Sequence, residues 1–325
     1  TRWTDFTTAS KTAFRDEGVR FINVNVAELD AHKLSGLALV GDARATIDAL
    51  AGWAYTVEPA YRQRCERLVR EWASEVDRLY ALGHAPLPAQ SEVIGAVNDA
   101  AGPRDVVVCA AGSMPGDLHK LWRTRDPKGY HVEYGFSTMG YEIAGGLGVK
   151  MAAPDRDVFV LVGDGSYLML AQELVTAVQE RIKLIVIVVD NHGYSSIGGL
   201  SRSLGSEGFG TQYRYRKDGA IGLDREGPQG ETLPVDFVAN AASLGAISAR
   251  AASIAELKDA LAEAKRTDGP YVVTIEADRY QAVPAYDSWW DVVPAEVSGL
   301  ADVRAARERY EKGRRSARRH IRPTR

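Results

Sequence analysis

At 325 residues, of which 45% are hydrophobic, the chain is long enough to bury the core of one large domain or of two modest ones. Its formal net charge of −3 excludes the strongly basic balance typical of nucleic-acid-binding proteins, and no apolar run reaches the about 18 residues that a membrane helix needs. Two cysteines, Cys65 and Cys109, are too few for a disulfide framework. We therefore expect a globular protein of the reducing cytoplasm, with no membrane and no nucleic acid among its partners.

The first 88 residues are predicted to contain part of one domain and a linker. Apolar runs indicate strands at 19–26 and 37–40 and a short helix at 43–51. Two strands cannot close a sheet layer of their own, so residues 1–55 are expected to be the C-terminal part of an α/β domain. Residues 56–88 are predicted to be the linker, with an amphipathic helix over 57–81 that ends at the Gly- and Pro-containing break 83–88.

Residues 89–295 have a repeating strand and helix pattern, which predicts one doubly wound, parallel α/β sheet. We predict strands at 106–111, 158–162, 184–189, 246–250 and 271–277, helices at 91–101, 235–244 and 253–265 and in the second half of 131–152, and a turn at 112–116. Residues 193–233 are rich in Gly and polar side chains and lack periodicity, which is typical of a binding loop or a lid.

Residues 296–325 are predicted to form a basic C-terminal tail. Ten Lys and Arg side chains stand against two Glu between residues 304 and 325. The tail lacks the interleaved aromatic side chains of nucleic-acid-binding segments, so we expect a solvated helix or one that bridges subunits.

The centre of the sequence is the stretch 158–191, VFVLVGDGSYLMLAQELVTAVQERIKLIVIVVDN. Two buried strands separated by a helical stretch predict parallel neighbours, so that Asp164 and Asn191 follow the same edge of the sheet. A carboxylate and an amide oxygen side by side suit Mg²⁺, and Gly163 and Gly165 allow backbone N–H groups to approach an anion. These residues predict a site for a metal-bound diphosphate.

Gly-Asp-Gly followed about two dozen residues later by Asn resembles the cofactor motif of thiamine-diphosphate-dependent enzymes. The resemblance implies that Mg²⁺ is bound by Asp164, Asn191 and the backbone carbonyl of Gly193, while Gly165 and Ser166 contact the diphosphate. Ser166 also has the side chain of a helix N-cap.

The same resemblance assigns roles to two further segments, Gly112-Ser113-Met114 and Ser137-Thr138-Met139-Gly140. Ser113 and Met114 are expected to contact the diphosphate. Met139 is expected to be the apolar wedge under the folded cofactor, with the Ser137 carbonyl accepting from its amino group; an ordinary core methionine is the alternative.

Longer fragments are similar to a narrower family, the trihydroxycyclohexanedione hydrolases of myo-inositol catabolism. The similar fragments are HVEYGFSTMGYEIAGGLGVKMA, VGDGSYLMLAQELVTAVQE, GFGTQYRYR and YDSWWDVVPAEVS, and they resemble the C-terminal half of those enzymes. Residues 15–55 resemble the family more loosely, which implies that residues 1–55 are the C-terminal part of a middle, Rossmann-like domain. The resemblance implies hydrolysis of a C–C bond, which opens a cyclic 1,2-dione to 5-deoxy-glucuronate. His192, beside the metal ligand Asn191, is the first candidate for a proton carrier; His131, His119 and Glu133 are weaker ones, and Trp289 and Trp290 are expected at the cofactor pocket, at an interface or in a core.

Thiamine enzymes also need a glutamate that activates the cofactor from a separate pyrimidine-binding domain, and no residue here matches it. We therefore expect the chain, which starts at Thr1, to be a C-terminal half that is inactive alone and works in a homodimer or homotetramer. Two alternatives stay open. An enzyme of the acetolactate synthase or 2-oxo acid decarboxylase kind would share every cofactor residue and differ in 192–216, and a regulatory module could keep the fold without catalysis.

Overall fold

The computed structural model describes residues 3–16, 18–206, 208, 210–215, 231–284 and 288–318. The chain divides into two compact units. The first contains Thr1–Leu68, Ser203–Ser206 and Ala285–Arg325, and the second contains Val69–Arg202 and Glu207–Pro284. Within the described ranges, no helix combines the length and the apolar character that crossing a membrane requires.

Among the described residues up to 80, the structure has two strands, four α-helices and a short 3-10 helix at Lys33–Ser35. In order, the strands and α-helices are α1 (Asp5–Thr8), β1 (Ile22–Asn25), α2 (Glu28–Ala31), β2 (Leu37–Val40), α3 (Ala43–Leu50) and α4 (Pro59–Tyr80). The strands are parallel, with Ile22 opposite Leu37. Helix α3 buries no residue, and apolar side chains of both strands are exposed, Leu37 to 68%. Two strands are fewer than an independently stable sheet needs, so the assignment of residues 1–55 to part of an α/β domain stays a prediction.

The second unit is built on a sheet of six parallel strands in the order β4-β3-β5-β6-β8-β7. Its elements are α5 (Gln90–Ala100), β3 (Val106–Cys109), α6 (Ser113–Leu121), β4 (Tyr130–Val132), α7 (Tyr141–Ala152), β5 (Val158–Gly163), α8 (Asp164–Met169), α9 (Glu173–Gln179), β6 (Ile185–Asp190), α10 (Ser195–Ser203), α11 (Phe237–Ser243), β7 (Ile247–Ala251), α12 (Ile254–Arg266) and β8 (Tyr271–Glu276). The doubly wound parallel α/β sheet is therefore confirmed.

Alternate strand residues face opposite sides of this sheet and bury two cores. Leu161 and Ile187 pack on the side of helices α5, α6 and α12. Val160 and Val188 pack on the side of α7, α9 and α11. Because helices cover both faces of the central strands, these strands are continuous apolar runs in the sequence. Their positions were therefore predictable.

Several local expectations were wrong. The predicted turn 112–116 contains the start of α6, since Pro115 is tolerated in the first turn of a helix. The helical stretch between β5 and β6 is two helices, and residues 193–233 include α10. Ser166 is not an N-cap, because α8 begins at Asp164 with Gly163 as its N-cap. Strand β4 was not predicted.

The chain ends, within the described residues, with α13 (Ala301–Arg314). Tyr310 is buried on this helix, donates a hydrogen bond to Asp291 Oδ1 at 2.7 Å and contacts the Trp289 ring at a tilted angle. Trp289 and Trp290 therefore pack inside the first unit, Trp290 against Phe6. The basic segment is helical as expected up to Arg314. Residues 319–325 lie outside the described residues, and so do Tyr286 and Asp287 of the similar fragment at 286–298.

The expected domain limits, 1–55, 56–88, 89–295 and 296–325, stay predictions. The observed units differ from them in two ways. The division falls at Leu68 and Val69 inside α4, and the C-terminal residues pack with the first unit.

Candidate functional site

The candidate site lies at the C-terminal edge of the six-stranded sheet. The chain leaves β3 toward β4 on one side and leaves β5 toward β6 on the other, so the winding reverses between β3 and β5. In sheets of this type, ligands bind where the winding reverses. Gly163, the last residue of β5, lies opposite Val189 of β6, so the residues that follow these two strands come together as predicted.

Asp164 is held rigidly at this edge. Its side chain is buried, and the residue is 1% exposed. Oδ1 accepts a hydrogen bond from the Gly165 N–H at 2.9 Å, and Oδ2 accepts one from the Gly193 N–H at 2.7 Å. Burial and the neighbouring Asp190 carboxylate raise the pKa of Asp164 to about 7. Two buried acids side by side form a place where a cation would be favourable.

Asn191 and Gly193 complete the predicted set of metal ligands. Asn191 is 7% exposed, and its Oδ1 has no hydrogen-bond partner among the described residues. A buried, unpaired amide oxygen is costly, so an oxygen-seeking cation would satisfy it. The described residues contain no group of three or more His, Cys, Asp or Glu side chains that could hold a metal, so amide and carbonyl oxygens have to contribute here.

Glycine is required at Gly193 and Gly165 because other parts of the chain pass close to them. Gly193 has a φ of 141°, and a Cβ there would collide with the carbonyl oxygen of Thr211. A Cβ at Gly165 would lie 2.8 Å from Cε1 of Tyr194. Gly163 has open space at the corresponding position. The glycine at 165 therefore makes room for a tyrosine ring, which the sequence did not indicate.

Ser113 begins α6 after Gly112, whose φ is 93°. Its hydroxyl donates to Gln90 Oε1 at 3.2 Å and lies 3.1 Å from the hydroxyl of Ser195, the first residue of α10. Met114 is buried in the core between the sheet and α6. Ser113 is thus at the edge of the sheet as expected, whereas the Met114 side chain points into the core and leaves only its backbone for a ligand.

Ser137 and Met139 lie on an exposed loop. Ser137 has a φ of 53°, Met139 is half-buried and the neighbouring Phe136 is 91% exposed. The loop is held by Glu133, whose carboxylate accepts hydrogen bonds from the backbone N–H groups of Phe136 at 2.9 Å and Thr138 at 2.7 Å. These N–H groups lower the pKa of Glu133, and they give this residue a structural task beside any contact with substrate.

His192 follows Asn191 in the left-handed conformation, with a φ of 57°. Its Nε2 lies 2.7 Å from Glu276 Oε1, and its backbone N–H donates to Asp190 Oδ1 at 3.0 Å. The other candidate histidines pair with tyrosine hydroxyls. His131 Nε2 lies 2.7 Å from the Tyr141 hydroxyl, and His119 contacts the Tyr130 hydroxyl.

Sequence reasoning missed several residues of this edge. Asp190 and Glu276 flank His192, and the Arg279 guanidinium donates to the carbonyls of Asn191 and His192 at 3.3 and 3.4 Å. Glu142 is fully buried beside Ser166, and burial raises its pKa. An acidic residue in the otherwise apolar start of α7 was the signal that could have revealed Glu142.

Known proteins resemble this chain in sequence. Residues 110–275, about half of the chain, match the family described as thiamine pyrophosphate enzyme, C-terminal TPP binding domain. A 3D-(3,5/4)-trihydroxycyclohexane-1,2-dione hydrolase 2 of Bacillus cereus is 37% identical over 95% of this chain and 51% of its own length.

Two other hydrolases have the same name apart from the final numeral, and their matches cover the same shares of this chain and of their own length. The Bacillus anthracis protein is 37% identical, and the Bacillus thuringiensis (strain Al Hakam) protein is 38% identical. The chain therefore spans about half the length of the curated relatives that it matches.

The family match covers β5, β6 and the residues 163–166 and 190–193 that follow them. This confirms the resemblance inferred from the Gly-Asp-Gly motif, and with it thiamine diphosphate as the cofactor that this fold binds, normally with Mg²⁺. The chain belongs to the thiamine pyrophosphate enzyme family, of which it carries the C-terminal cofactor-binding domain.

Proposed function

We propose that the chain is the diphosphate- and Mg²⁺-binding half of a thiamine-diphosphate-dependent hydrolase that opens a cyclic 1,2-dione in inositol catabolism. The names of the relatives support this substrate. The observation that carries the proposal is the buried, unpaired Oδ1 of Asn191 beside the Asp164 carboxylate at the edge of the sheet. The cytoplasm is the proposed compartment, and the free thiols of Cys65 and Cys109 agree with it.

The residues fit the metal. Asp164, Asn191 and the Gly193 carbonyl would supply three oxygen ligands, which suits the preference of Mg²⁺ for a few protein ligands together with substrate oxygens and water. The hydrogen bonds from Gly165 and Gly193 fix the Asp164 carboxylate, so little reorganisation is needed when a cation binds. A divalent cation would also relieve the repulsion between Asp164 and Asp190.

The diphosphate would be held mainly by backbone groups. The Ser166 hydroxyl is already engaged, because it donates to Glu142 and accepts from the Gly140 N–H at 2.7 Å. We therefore assign the diphosphate contacts of Gly165 and Ser166 to their backbone N–H groups. The start of α6, at Ser113 and Met114, would add N–H groups and the positive end of a helix dipole, and the open space at Gly163 permits close approach.

Thiamine diphosphate, when bound, supplies an electron sink for breaking a C–C bond next to a carbonyl. The chain would contribute the loop 133–139 to this chemistry. Met139 would pack against the cofactor, and the Ser137 carbonyl would accept a hydrogen bond from it. His192 would carry a proton, with Glu276 orienting its ring at 2.7 Å.

The remaining parts of the enzyme would come from elsewhere. An activating glutamate on a pyrimidine-binding domain would lie in the half of the relatives' length that this chain does not span, or in another protomer of a homodimer or homotetramer. The exposed apolar side chains of Leu168, Met169 and Val175, on and after α8, offer a surface for such a domain.

The test is turnover by the full polypeptide with thiamine diphosphate and Mg²⁺. We expect hydrolysis of 3D-(3,5/4)-trihydroxycyclohexane-1,2-dione to a ring-opened acid and no turnover of pyruvate. Turnover of pyruvate alone would favour the acetolactate synthase or decarboxylase kind of enzyme. Calorimetry that detects no binding of thiamine diphosphate would contradict the proposal and favour a non-catalytic module.

A further inference from the structure

Glu142 is a buried acid to which the family resemblance gives no role. It is the second residue of α7, it is 0% exposed, and small and apolar residues follow it on the helix. A carboxylate removed from water in this way is strongly unfavourable unless hydrogen-bond donors surround it. Its partners therefore indicate what it does.

The hydrogen-bond partners of Glu142 come from three different segments of the chain. Oε1 accepts from the Ala111 N–H at 3.2 Å and lies 2.9 Å from the Ser166 hydroxyl. Oε2 lies 2.7 Å from the same hydroxyl and accepts from the Gly140 N–H at 3.1 Å. Ala111 follows β3, Gly140 precedes α7, and Ser166 is in α8.

All of these partners are donors. The Ser166 hydroxyl gives its hydrogen to Glu142 and receives the Gly140 N–H, so the serine extends the network. A carboxylate accepts at both oxygens and matches this set, whereas an amide of the same shape would point its NH₂ group at another donor. The network therefore requires an acceptor at both ends of the Glu142 side chain.

The elements that Glu142 joins are those that bear the proposed cofactor contacts. Ala111 precedes Ser113, Gly140 follows Met139, and Ser166 closes the Gly-Asp-Gly motif. We propose that Glu142 is a positioning residue, whose buried carboxylate holds the three cofactor-binding segments 111–114, 137–140 and 163–166 in one fixed arrangement. This inference rests on the proposed function of the site.

The first test is Glu142→Gln in the full polypeptide, which keeps the size of the side chain and removes one acceptor. A hydrogen bond to a charged group contributes about 1.5–3 kcal/mol, so we expect the affinity for thiamine diphosphate with Mg²⁺, measured by calorimetry, to fall about 10- to 100-fold. Without cofactor, hydrogen exchange at the Ala111 and Gly140 amides should become faster. The exchange measurement does not depend on the cofactor.

Ser166→Ala tests the same contact from the other side. It removes the hydroxyl and should weaken cofactor binding less, because Glu142 keeps the Ala111 and Gly140 donors. The effects of the two substitutions should be less than additive in the double variant, since both break one network. If Glu142→Gln does not fold, Ser166→Ala decides: unchanged cofactor affinity and unchanged exchange at Gly140 would overturn the inference.

Glu92→Gln is the matched control. Glu92 is also a buried glutamate, and it accepts from the backbone N–H groups of Gly83, His84 and Ala89, none of which belongs to the three segments. We expect it to destabilise the fold and leave the cofactor affinity unchanged.

Two different failures can be told apart. If the unsubstituted protein does not bind thiamine diphosphate, the proposed function fails. If it binds and Glu142→Gln binds equally well, or if Glu92→Gln weakens binding to the same extent, the positioning role of Glu142 is overturned and the proposed function stands.

Discussion

Asp164 and Ser137 belong to two parts of the candidate site that the chain supports in different ways. In the buried part, residues 163–166 and 190–193, Asp164 is 1% exposed and accepts hydrogen bonds from two backbone N–H groups. The exposed part, residues 133–139, is a surface loop that is held by the Glu133 carboxylate. One part is fixed by packing and burial, and the other by a few hydrogen bonds at the surface.

We expect this difference to separate the residues that determine cofactor affinity from those that determine kcat. Side chains of the buried part are in place before any ligand arrives, so a substitution there should change cofactor affinity and stability together. A substitution in the exposed part removes little buried surface and should leave stability almost unchanged. Its effect should fall on the orientation of bound groups, and so on kcat.

The largest effect is expected for Asp164→Asn. The amide would lose the negative charge and direct its NH₂ group at the N–H of Gly193 or of Gly165. We expect the affinity for thiamine diphosphate in excess Mg²⁺ to fall more than about 100-fold, because the proposed metal ligand and a buried acceptor would be lost together.

Calorimetry on the full polypeptide measures this loss. Asp105→Asn is the control, since Asp105 accepts the Gly102 N–H at 2.6 Å just before β3 begins, away from the site's edge of the sheet. Affinity of Asp164→Asn within about threefold of the unsubstituted protein would contradict the metal assignment.

Met139→Ala tests the exposed part. We expect kcat for the proposed substrate, the cyclic dione, to fall about 10- to 100-fold, because misplacement of the reacting groups by about 1 Å can cost that much. The midpoint of urea unfolding should change little, since Met139 is only half-buried. Met151→Ala, at an exposed methionine near the end of α7, should change neither quantity. A large loss of stability with unchanged kcat would show that Met139 is an ordinary packing residue.

Much of the sheet was predictable because its strands are buried on both faces. β5 and β6 are continuous apolar runs. The observed β5 begins at the predicted residue and ends one residue later, and the observed β6 begins and ends one residue later than predicted. β4 has three residues of mixed character at the sheet edge and gives no such signal. α10 was missed because Gly198 and Gly199 are poor helix formers; it forms where Thr211 packs against Gly198.

The candidate site was predictable where it is local in sequence. Asp164 and Asn191 follow adjacent strands, so their spacing alone predicted that they would meet. The Glu142 network was not predictable, because Ala111 and Ser166 are 31 and 24 residues away from it in the chain. Hydrogen bonds between distant elements leave no periodic signal in a single sequence.

Glu133→Gln tests whether the hydrogen bonds to Glu133 hold the exposed part in place. Glutamine keeps one acceptor, so either the Phe136 or the Thr138 N–H loses its partner and the loop loosens. We expect kcat to fall about threefold to tenfold, less than for Met139→Ala, with cofactor affinity nearly unchanged. Glu256→Gln is the matched control, since Glu256 also accepts a backbone N–H, that of Ala252 near the start of α12. Equal kcat values for both variants would argue against a task for Glu133 in the loop.

The smallest effect on the site is expected for Asp117→Asn, which should change stability. Asp117 is a residue of α6 whose partner Gln90 also contacts Ser113. Burial raises the pKa of Asp117 from 3.8 to about 6, although the side-chain amide of Gln90 donates to it at 2.7 Å. Between these pH values the folded protein holds a proton that the unfolded chain has released, so the free energy of unfolding falls as the pH rises.

Asparagine has no proton to lose in this range and can still accept from Gln90. The variant should therefore be about 1–3 kcal/mol more stable than the unsubstituted protein at about pH 8, and this difference should shrink toward zero near about pH 4. Urea unfolding at several pH values between these two measures both curves. Parallel curves would mean that Asp117 ionises normally. In that case burial would not control the ionisation of this acid near Ser113, and the contrast between the buried and exposed parts would rest on their hydrogen bonds.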